Sequence, residues 1–305
     1  MRMHFRIVLS LLLLAASSRL ARAQNFPADE KYRPLHCGHH VMTDGRTDEP
    51  AAIDERDLVG DTGHAAAWRA VDNQFLYLRL RLDKDAIPGG TITGFSWGVA
   101  FDTNNDARDY EVLALVDGVS GNVLLYRNTQ TTTPDDATDP ADTPAMDSNL
   151  ATTHAKSTVA AGTSNGGDDD FFLSFAVPLD KLQSVGITPK TPVRVWVASS
   201  TKTNALDGDF ACHSGGGVGH FSDVDSDRTV LDGDADSDGD GSTDADEVEA
   251  GTDPNNPDSH PGGSGELQLA GGGGCRVGVG GGGGAAGLAL VLLLTGLVCY
   301  RRRRR

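Results

Sequence analysis

Basic residues are scarce in this 305-residue sequence, which contains 26 lysines and arginines against 43 aspartates and glutamates. The formal net charge at pH 7 is therefore -17. An acidic surface repels phosphate backbones and anionic lipid headgroups, which argues against nucleic acid and anionic membrane surfaces as partners. Binding of a cation such as Ca²⁺ would relieve part of this charge.

The sequence also lacks the motifs that mark common catalytic sites. It contains no Gly-x-Ser-x-Gly turn, no His-Glu-x-x-His motif and no phosphate-binding glycine loop. His36, His39 and His40 surround Cys37, but no later His or Cys cluster completes a four-coordinate metal site. We therefore predict no catalytic residues.

Apolar runs are few, and the two longest lie at the ends of the chain. At the N-terminus a basic segment at 1–6 precedes a short apolar run at 7–16 and a small-residue cleavage motif at 21–23. We predict a secretory signal peptide over 1–23, with Gln24 as the new N-terminus. Retention of the run as a membrane anchor is the alternative.

The C-terminal apolar run covers 285–300 and is followed by five arginines at 301–305. A transmembrane helix needs about 20 apolar residues, so this one is marginally long enough. The arginines would stay in the cytoplasm, which leaves the body of the protein outside. A glycine-rich stretch at 260–284, containing Cys275, comes before the apolar run.

The order of a glycine run, Cys275, a short apolar helix and an arginine cluster resembles the C-terminal sorting signals of myxobacterial surface proteins. This resemblance, over 271–305, implies recognition by a membrane-embedded processing protease, lipid attachment at the cysteine and removal of the helix. A permanent single-pass anchor is the alternative. Either reading predicts an exported protein held at the cell surface or outer membrane.

Only four cysteines are present. Cys275 and Cys299 belong to the C-terminal signal, which leaves Cys37 and Cys212 for the exported body. An even pair in an exported protein predicts a Cys37–Cys212 disulfide, with two unpaired thiols as the alternative.

Between these two cysteines, apolar and polar residues alternate with the period of a β-strand. Leucines at 76, 78, 80 and 82 share one face and Arg79 and Arg81 the other, which predicts a half-buried strand. Strands without interleaved helices predict an all-β fold, an antiparallel β-sandwich or jelly roll over 37–212. Further strands are predicted at 95–101, 110–116, 123–126, 171–177 and 193–197, with one short helix at 179–185.

The other segments are assigned by composition. Residues 24–36 form an N-terminal segment, and the polar stretch 128–167 is predicted to be a long excursion loop of the sandwich. The glycine-rich residues 213–222 are predicted to form a linker, followed by an acidic segment at 223–259 and a second linker at 260–284.

Several short motifs of the sandwich, from the Asp-Gly pair at 44–45 to the acidic run at 102–111, are similar to those of carbohydrate-binding family 9 and DOMON-like jelly-roll modules. The resemblance covers 40–205 and implies binding of sugars or, in some DOMON members, haem. Sugar sites use exposed aromatic rings. Trp97 and Trp196 have apolar neighbours two positions away and are predicted to lie in the core, which leaves Trp68 as the candidate ligand-binding residue.

One polar cluster within this run is a candidate for a second Ca²⁺ site at the end of a strand. A polar turn between two strands is an equally good reading. The candidate ligands are Asp102, Asn104, Asp106 and Asp109.

The acidic segment contains a pattern that points to a specific ion. Ca²⁺ is bound by 12-residue loops that supply oxygen ligands at positions 1, 3, 5, 7, 9 and 12, with glycine at position 6. Gly241 falls at position 6. The predicted ligands are Asp236, Asp238, Asp240, the carbonyl of Ser242, Asp244 and Glu247. A solvated acidic linker is the alternative.

The stretch DSDGDGSTDADEVEAGTDPNNPDS resembles a thrombospondin type 3 repeat over 232–258. That family implies Ca²⁺-wrapped segments with little hydrophobic core that act as spacers and adhesion elements. Only one complete copy is present, and Asp232 and Asp234 belong to partial ligand runs before it.

Two functions follow from these observations. The first is a non-catalytic, calcium-binding surface protein whose sandwich recognises a glycan or another surface protein. The second is a secreted enzyme or a haem or redox module with its chemistry in the sandwich.

Overall fold

The computed structural model describes residues 25–261, with the exception of 38–39, 47–54, 149–153, 166, 214–218, 225, 227, 234–235, 237–239, 244–245, 248–249 and 254–255. The predicted signal peptide, Cys275, the apolar run at 285–300 and the arginine tail lie outside the described residues. Among the residues that are described, no helix is both long and apolar enough to cross a membrane.

Two antiparallel sheets form most of the fold, which confirms the predicted all-β, sandwich-like class. The first sheet has the order β1 (Arg33–Pro34), β4 (Ala67–Val71), β5 (Phe75–Leu82), β11 (Phe171–Pro178) and β10 (Ala155–Val159). The second has the order β13 (Arg228–Thr229), β12 (Val193–Ser200), β6 (Ser96–Asp102), β7 (Val112–Asp117), β8 (Asn122–Arg127) and β9 (Thr143–Ser148).

Two smaller elements complete the fold. A two-stranded ribbon consists of β2 (His36–Cys37) and β3 (His40–Val41). The short helix α1 (Leu179–Ser184) directly follows β11 and confirms the helix predicted there.

The main core lies between the two sheets. Leu76, Leu78, Leu80 and Leu82 of β5 are all buried in one apolar cluster with inward side chains of β6, β7 and β12. Trp97 of β6 belongs to this cluster, and its indole N–H donates to the carbonyl oxygen of Glu55 at 2.9 Å. Period-two alternation therefore identified the inner face correctly.

The opposite face of β5 is not the solvent-exposed face that the alternation predicts. Arg79 and Arg81 are each only 3% exposed. The Arg79 guanidinium lies 3.6 Å from the Tyr32 ring centroid and 2.9 Å from Asp29 Oδ1, because the N-terminal segment covers this part of the sheet. Arg81 Nη1 lies 3.5 Å from Asp170 Oδ2. The predicted half-buried strand is therefore buried on both faces, with its cations paired to aromatic rings and carboxylates.

The outer face of the second sheet is also covered. Trp196, predicted to be a core residue, is fully buried there in a second apolar cluster. Its indole N–H donates to the carbonyl oxygen of Phe221 at 3.2 Å, and their rings lie 4.9 Å apart. Phe221 belongs to the segment predicted to be a linker, so the buried chain continues past Cys212.

The stretch at 128–167 contains ordered structure where the sequence predicts a long loop. It includes the strands β9 and β10, which pair with β8 and β11 at the sheet edges. Before β9, the chain folds around the buried carboxylate of Asp139, which accepts hydrogen bonds from the backbone N–H groups of Thr132 (3.0 Å) and Thr133 (3.1 Å). Polar edge strands lack the apolar alternation by which inner strands are predicted.

Candidate calcium site

The calcium segment begins on the sandwich itself. Strand β13 pairs with β12, and Val230 and Leu231 after it are buried. The N–H of Asp232 donates to the carbonyl oxygen of Pro189 at 2.8 Å. At Gly233 a Cβ atom would lie 2.9 Å from Arg33 Cγ, so the backbone passes close to the first sheet. The acidic chain is therefore held at the sandwich as far as Gly233.

In the described part of the 12-residue loop, the backbone turns at the predicted glycine position. Gly241, at position 6, has φ +96°, a left-handed conformation that glycine adopts without steric cost. Its N–H donates to Asp236 Oδ2 at 3.1 Å, and Ser242 N–H donates to Asp240 Oδ1 at 2.7 Å. These bonds close the first half of the loop. Four of the six predicted loop ligands are described, Asp236, Asp240, Ser242 and Glu247, whereas Asp238 and Asp244 lie outside the described residues. Of the two partial-run residues before the loop, Asp232 is described and Asp234 is not.

The second half of the loop is fixed by a short helical turn. Thr243 accepts from Asp246 N–H through its Oγ1 at 3.1 Å and from Glu247 N–H through its carbonyl oxygen at 2.9 Å. Thr252 donates its N–H to the Glu247 carbonyl oxygen at 2.8 Å, after a left-handed Gly251 with φ +74°. The Gly-Thr pair that follows the loop therefore ends this turn, as glycine does at helix C-termini.

Glu247, at position 12, is fully buried, with 0% of its surface exposed. A buried carboxylate is costly unless it is paired with a cation or coordinates a metal. The sequence around it is strongly acidic, with eleven aspartates and glutamates between 232 and 258. A hard divalent cation is the counter-charge that suits such an all-oxygen donor set. The residues present therefore fit bound Ca²⁺.

The described residues contain no group of three or more His, Cys, Asp or Glu side chains already gathered around a metal position. Two of the five predicted side-chain ligands, Asp238 and Asp244, lie outside that part of the chain.

Residues 236–257 match the family model of the bacterial TSP3 repeat. This match confirms the predicted thrombospondin type 3 repeat and supports a calcium-binding role for the segment. Neither the curated proteins nor the solved structures gave a match to this chain.

The predicted second calcium cluster lies in the connection between β6 and β7. Asp102 Oδ1 accepts from Asn104 N–H at 2.9 Å, and Asp102 Oδ2 lies 3.4 Å from Arg194 Nε. The Asn104 side-chain amide donates to Glu111 Oε1 at 2.5 Å, and Asp106 Oδ1 accepts from Arg108 N–H at 3.1 Å. These polar groups therefore serve hydrogen bonds within the turn and, at Asp102, a contact with β12.

Asp109, the fourth residue of that cluster, is engaged elsewhere. Its carboxylate accepts from Tyr110 N–H at 2.7 Å, from the Asn128 side-chain amide at 3.2 Å and from the Thr131 hydroxyl. These contacts fit the polar-turn reading of the cluster.

Trp68, the predicted ligand-binding residue, lies in β4 and is partly exposed. Its ring packs edge-on against Phe172 with centroids 5.1 Å apart, and the Arg81 guanidinium lies 5.2 Å from its centroid. The indole is therefore part of the aromatic and arginine layer that covers the first sheet.

Cys37 and Cys212 form the predicted disulfide, with Cα atoms 5.9 Å apart. The bridge connects β2 to the chain that follows β12. His36 and His40 lie beside it in the ribbon, and His39 lies outside the described residues. Since Cys37 is oxidised, its thiolate is not available as a metal ligand.

A cleft of about 600 Å³ lies at one end of the first sheet, where sequence analysis predicted no site. It forms between the β4–β5 turn and the start of α1, two segments about a hundred residues apart in the sequence. In the sequence, the local sign of this cleft is the pair of adjacent amide side chains in the turn, Asn73 and Gln74. The cleft is lined by residues that include Asn73, Gln74, Phe75, Pro178, Asp180 and Gln183.

Proposed function

We propose that this chain is an exported, non-catalytic, calcium-binding protein of the cell surface. Its β-sandwich recognises a ligand, a glycan or another surface protein, and a calcium-stiffened spacer holds the sandwich off the membrane. The observation that carries the proposal is the TSP3 match over 236–257, in which a fully buried Glu247 occupies the twelfth loop position.

Calcium has a defined physical role in this proposal. Carboxylates brought together in the loop repel one another, and a bound divalent ion replaces that repulsion with coordination. Because the segment has few apolar residues, ion binding supplies free energy that a hydrophobic core would otherwise provide. The loop should therefore become ordered and stiff in calcium.

Titration calorimetry on the whole exported chain tests the calcium site. We expect calcium to bind with measurable heat, and Glu247→Gln to weaken binding strongly because the bidentate ligand loses its charge. Asp246→Asn is the matched control. It removes the same charge from an exposed neighbour that is not a predicted ligand, so its affinity should stay close to that of the unmodified chain.

Calcium heat that is absent, or that persists unchanged in Glu247→Gln, would contradict the proposed site. An equal loss in both variants would mean that calcium responds to the overall negative charge and not to a coordinated position.

Export and anchoring are supported by the sequence signals at the two ends of the chain. We infer that residues 1–23 are removed, that a membrane-embedded protease cleaves near Cys275, and that a lipid then replaces the apolar helix as anchor. Mass spectrometry of the mature surface protein should find no residues from 288–305, and Cys275→Ala should block this processing. An intact arginine tail would instead identify a permanent transmembrane anchor.

The haem alternative has its own test. A haem or redox module would give the purified protein a visible absorption band, and the proposed surface protein would have none. The carbohydrate-binding and DOMON-like resemblance supports ligand recognition by the sandwich but does not specify which residues contact the ligand.

A further inference from the structure

We infer that the cleft at the end of the first sheet is a binding site for a neutral saccharide chain. The inference rests on the proposed ligand-recognition function and gives it a location and a ligand class. The site is defined by Asn73 and Gln74 of the β4–β5 turn, by Phe75 and Pro178 at the sheet end, and by Asp180 and Gln183 of α1.

The polar groups of the cleft suit hydroxyl groups. An amide side chain carries two donors and an acceptor, and it can pair with sugar hydroxyls, which both donate and accept. The side chains of Asn73, Gln74 and Gln183 are exposed and make no hydrogen bond within the described part of the chain. These donors and acceptors are therefore available to a ligand.

The apolar floor of the cleft suits the face of a pyranose ring. Phe75 and Pro178 are adjacent partners across β5 and β11, and both are partly exposed. The Phe75 ring is held by Tyr77 and His154, with centroids 6.0 and 5.4 Å away. A ring fixed in this way offers apolar contact area at a small cost in conformational entropy.

The described lining of the cleft offers no cation that would hold an anionic ligand. Its described lining contains one carboxylate, Asp180, and no lysine, arginine or histidine. Lys181 Nζ lies 4.0 Å from the Asp180 carboxylate, and both side chains are largely exposed, so solvent screens this pair. A phosphorylated or sulfated ligand therefore finds no cationic partner in the described lining, whereas a neutral polar ligand needs none.

Hydrogen bonds connect the turn, the sheet end and α1 beneath the cleft. Asp72 Oδ1 accepts from the N–H groups of Gln74 (2.7 Å) and Phe75 (2.8 Å), and Tyr77 Oη donates to Asp72 Oδ2 at 2.7 Å. Leu179 N–H donates to the Gln74 carbonyl oxygen at 2.8 Å, which fastens α1 to the turn. The amides are therefore positioned on a fixed scaffold, which reduces the entropy lost on binding.

Calorimetry with neutral hexasaccharides of glucose, xylose and N-acetylglucosamine tests the inference on the whole exported chain in calcium. We expect at least one to bind, and Gln183→Ala and Asn73→Ala each to weaken it about tenfold, the loss expected for one or two hydrogen bonds. Lys181→Ala, on the same helix, is the control that should bind as the unmodified chain does. Trp68→Ala, at the ligand-binding position that the sequence favours, tests the other location.

The possible outcomes separate this inference from the broader function. Binding that survives both cleft substitutions but is lost in Trp68→Ala would overturn the cleft as the site and leave glycan recognition standing. If none of the hexasaccharides binds, the saccharide assignment is refuted, while calcium binding at Glu247 is judged by its own titration. Circular dichroism of each variant checks that a lost signal does not come from unfolding.

Discussion

Removal of the Cys37–Cys212 disulfide should destabilise the sandwich without changing its fold. The bridge joins positions 175 apart in the sequence, close to the full length of the sandwich. Without the bridge, other contacts still hold the second cysteine. Cys212 N–H donates to the Thr43 carbonyl oxygen at 2.9 Å, and Ala211 N–H donates to that of Val197 at 3.0 Å. The native arrangement should therefore remain accessible.

The size of the effect follows from the length of the closed loop. The chain-entropy model gives about 5 kcal/mol for a loop of this length, while measured values for single disulfides are more often about 2 to 4 kcal/mol. Domains have unfolding free energies of about 5 to 15 kcal/mol. Cys37→Ala with Cys212→Ala should therefore remove a large share of the stability and still leave a folded protein.

The backbone at Cys212 allows a sharper comparison. Its φ is +73°, a left-handed conformation that costs a non-glycine residue about 1 to 2 kcal/mol. Glycine adopts it without steric cost, although it adds entropy to the unfolded chain. In the Cys37→Ala background, the Cys212→Gly protein should therefore be at least as stable as the Cys212→Ala protein. At most positions the glycine variant would be the less stable of the two.

Urea denaturation of the protein, at one calcium concentration and followed by intrinsic fluorescence, measures these differences. A double-alanine variant within about 1 kcal/mol of the unmodified protein would refute the loop-entropy reasoning. If the glycine variant is clearly the weaker of the two, the left-handed backbone is not maintained once the bridge is absent.

Two further predictions concern the sandwich. Gly98→Ala should destabilise the protein by about 1 to 3 kcal/mol, because a Cβ there would lie 2.4 Å from the Ala114 carbonyl oxygen. Gly94→Ala, at a position with open space around it, is the control in the same urea assay. Burial alone would raise the pKa of Asp139, but hydrogen bonds from Thr132, Asn128 and Thr133 outweigh it and lower that pKa. Its carboxylate therefore stabilises the fold above the unfolded-state pKa of about 4, and this contribution is lost as pH falls through the folded pKa. We expect Asp139→Asn to make the urea midpoint depend less on pH in this acidic range. A variant whose midpoint falls with pH as steeply as that of the unmodified protein would contradict this role.

The inner core was predictable because it depends on local alternation. The β5 leucines and Trp97 each have apolar residues two positions away, and this pattern is sufficient to place them between the sheets. The disulfide followed from cysteine count and compartment. Neither prediction required knowledge of which segments meet in space.

The covered outer faces could not be predicted in this way. Arg79 and Arg81 have the spacing of a solvent-facing row, but Asp29 and Asp170, which neutralise them, come from segments about fifty and ninety positions away. Alternation reports only the polarity of a face. It does not report whether a distant segment supplies the aromatic rings and carboxylates that make burial of a guanidinium tolerable.

The candidate sites show the same division. The TSP3 loop was readable because its ligands follow one another at fixed spacing, so the positions of Gly241 and Glu247 could be assigned from the sequence alone. The cluster from Asp102 to Asp109 has similar residue types, but Asp102 pairs with Arg194 of β12, a partner that no local pattern indicates.

The attachment of the calcium segment bears directly on how the proposed spacer works. Leu231 is buried in the core between the sheets, and Gly233 passes against Arg33 of β1. The first predicted ligand, Asp236, follows only three positions later. A spacer that left a glycine linker would let the sandwich turn freely, whatever ions it bound. A spacer that starts from β13 begins at a fixed point on the sheet edge. Stiffening by calcium would therefore fix the direction in which the segment leaves the sandwich, while the glycine-rich linker predicted at 260–284 still lies between that segment and the proposed anchor.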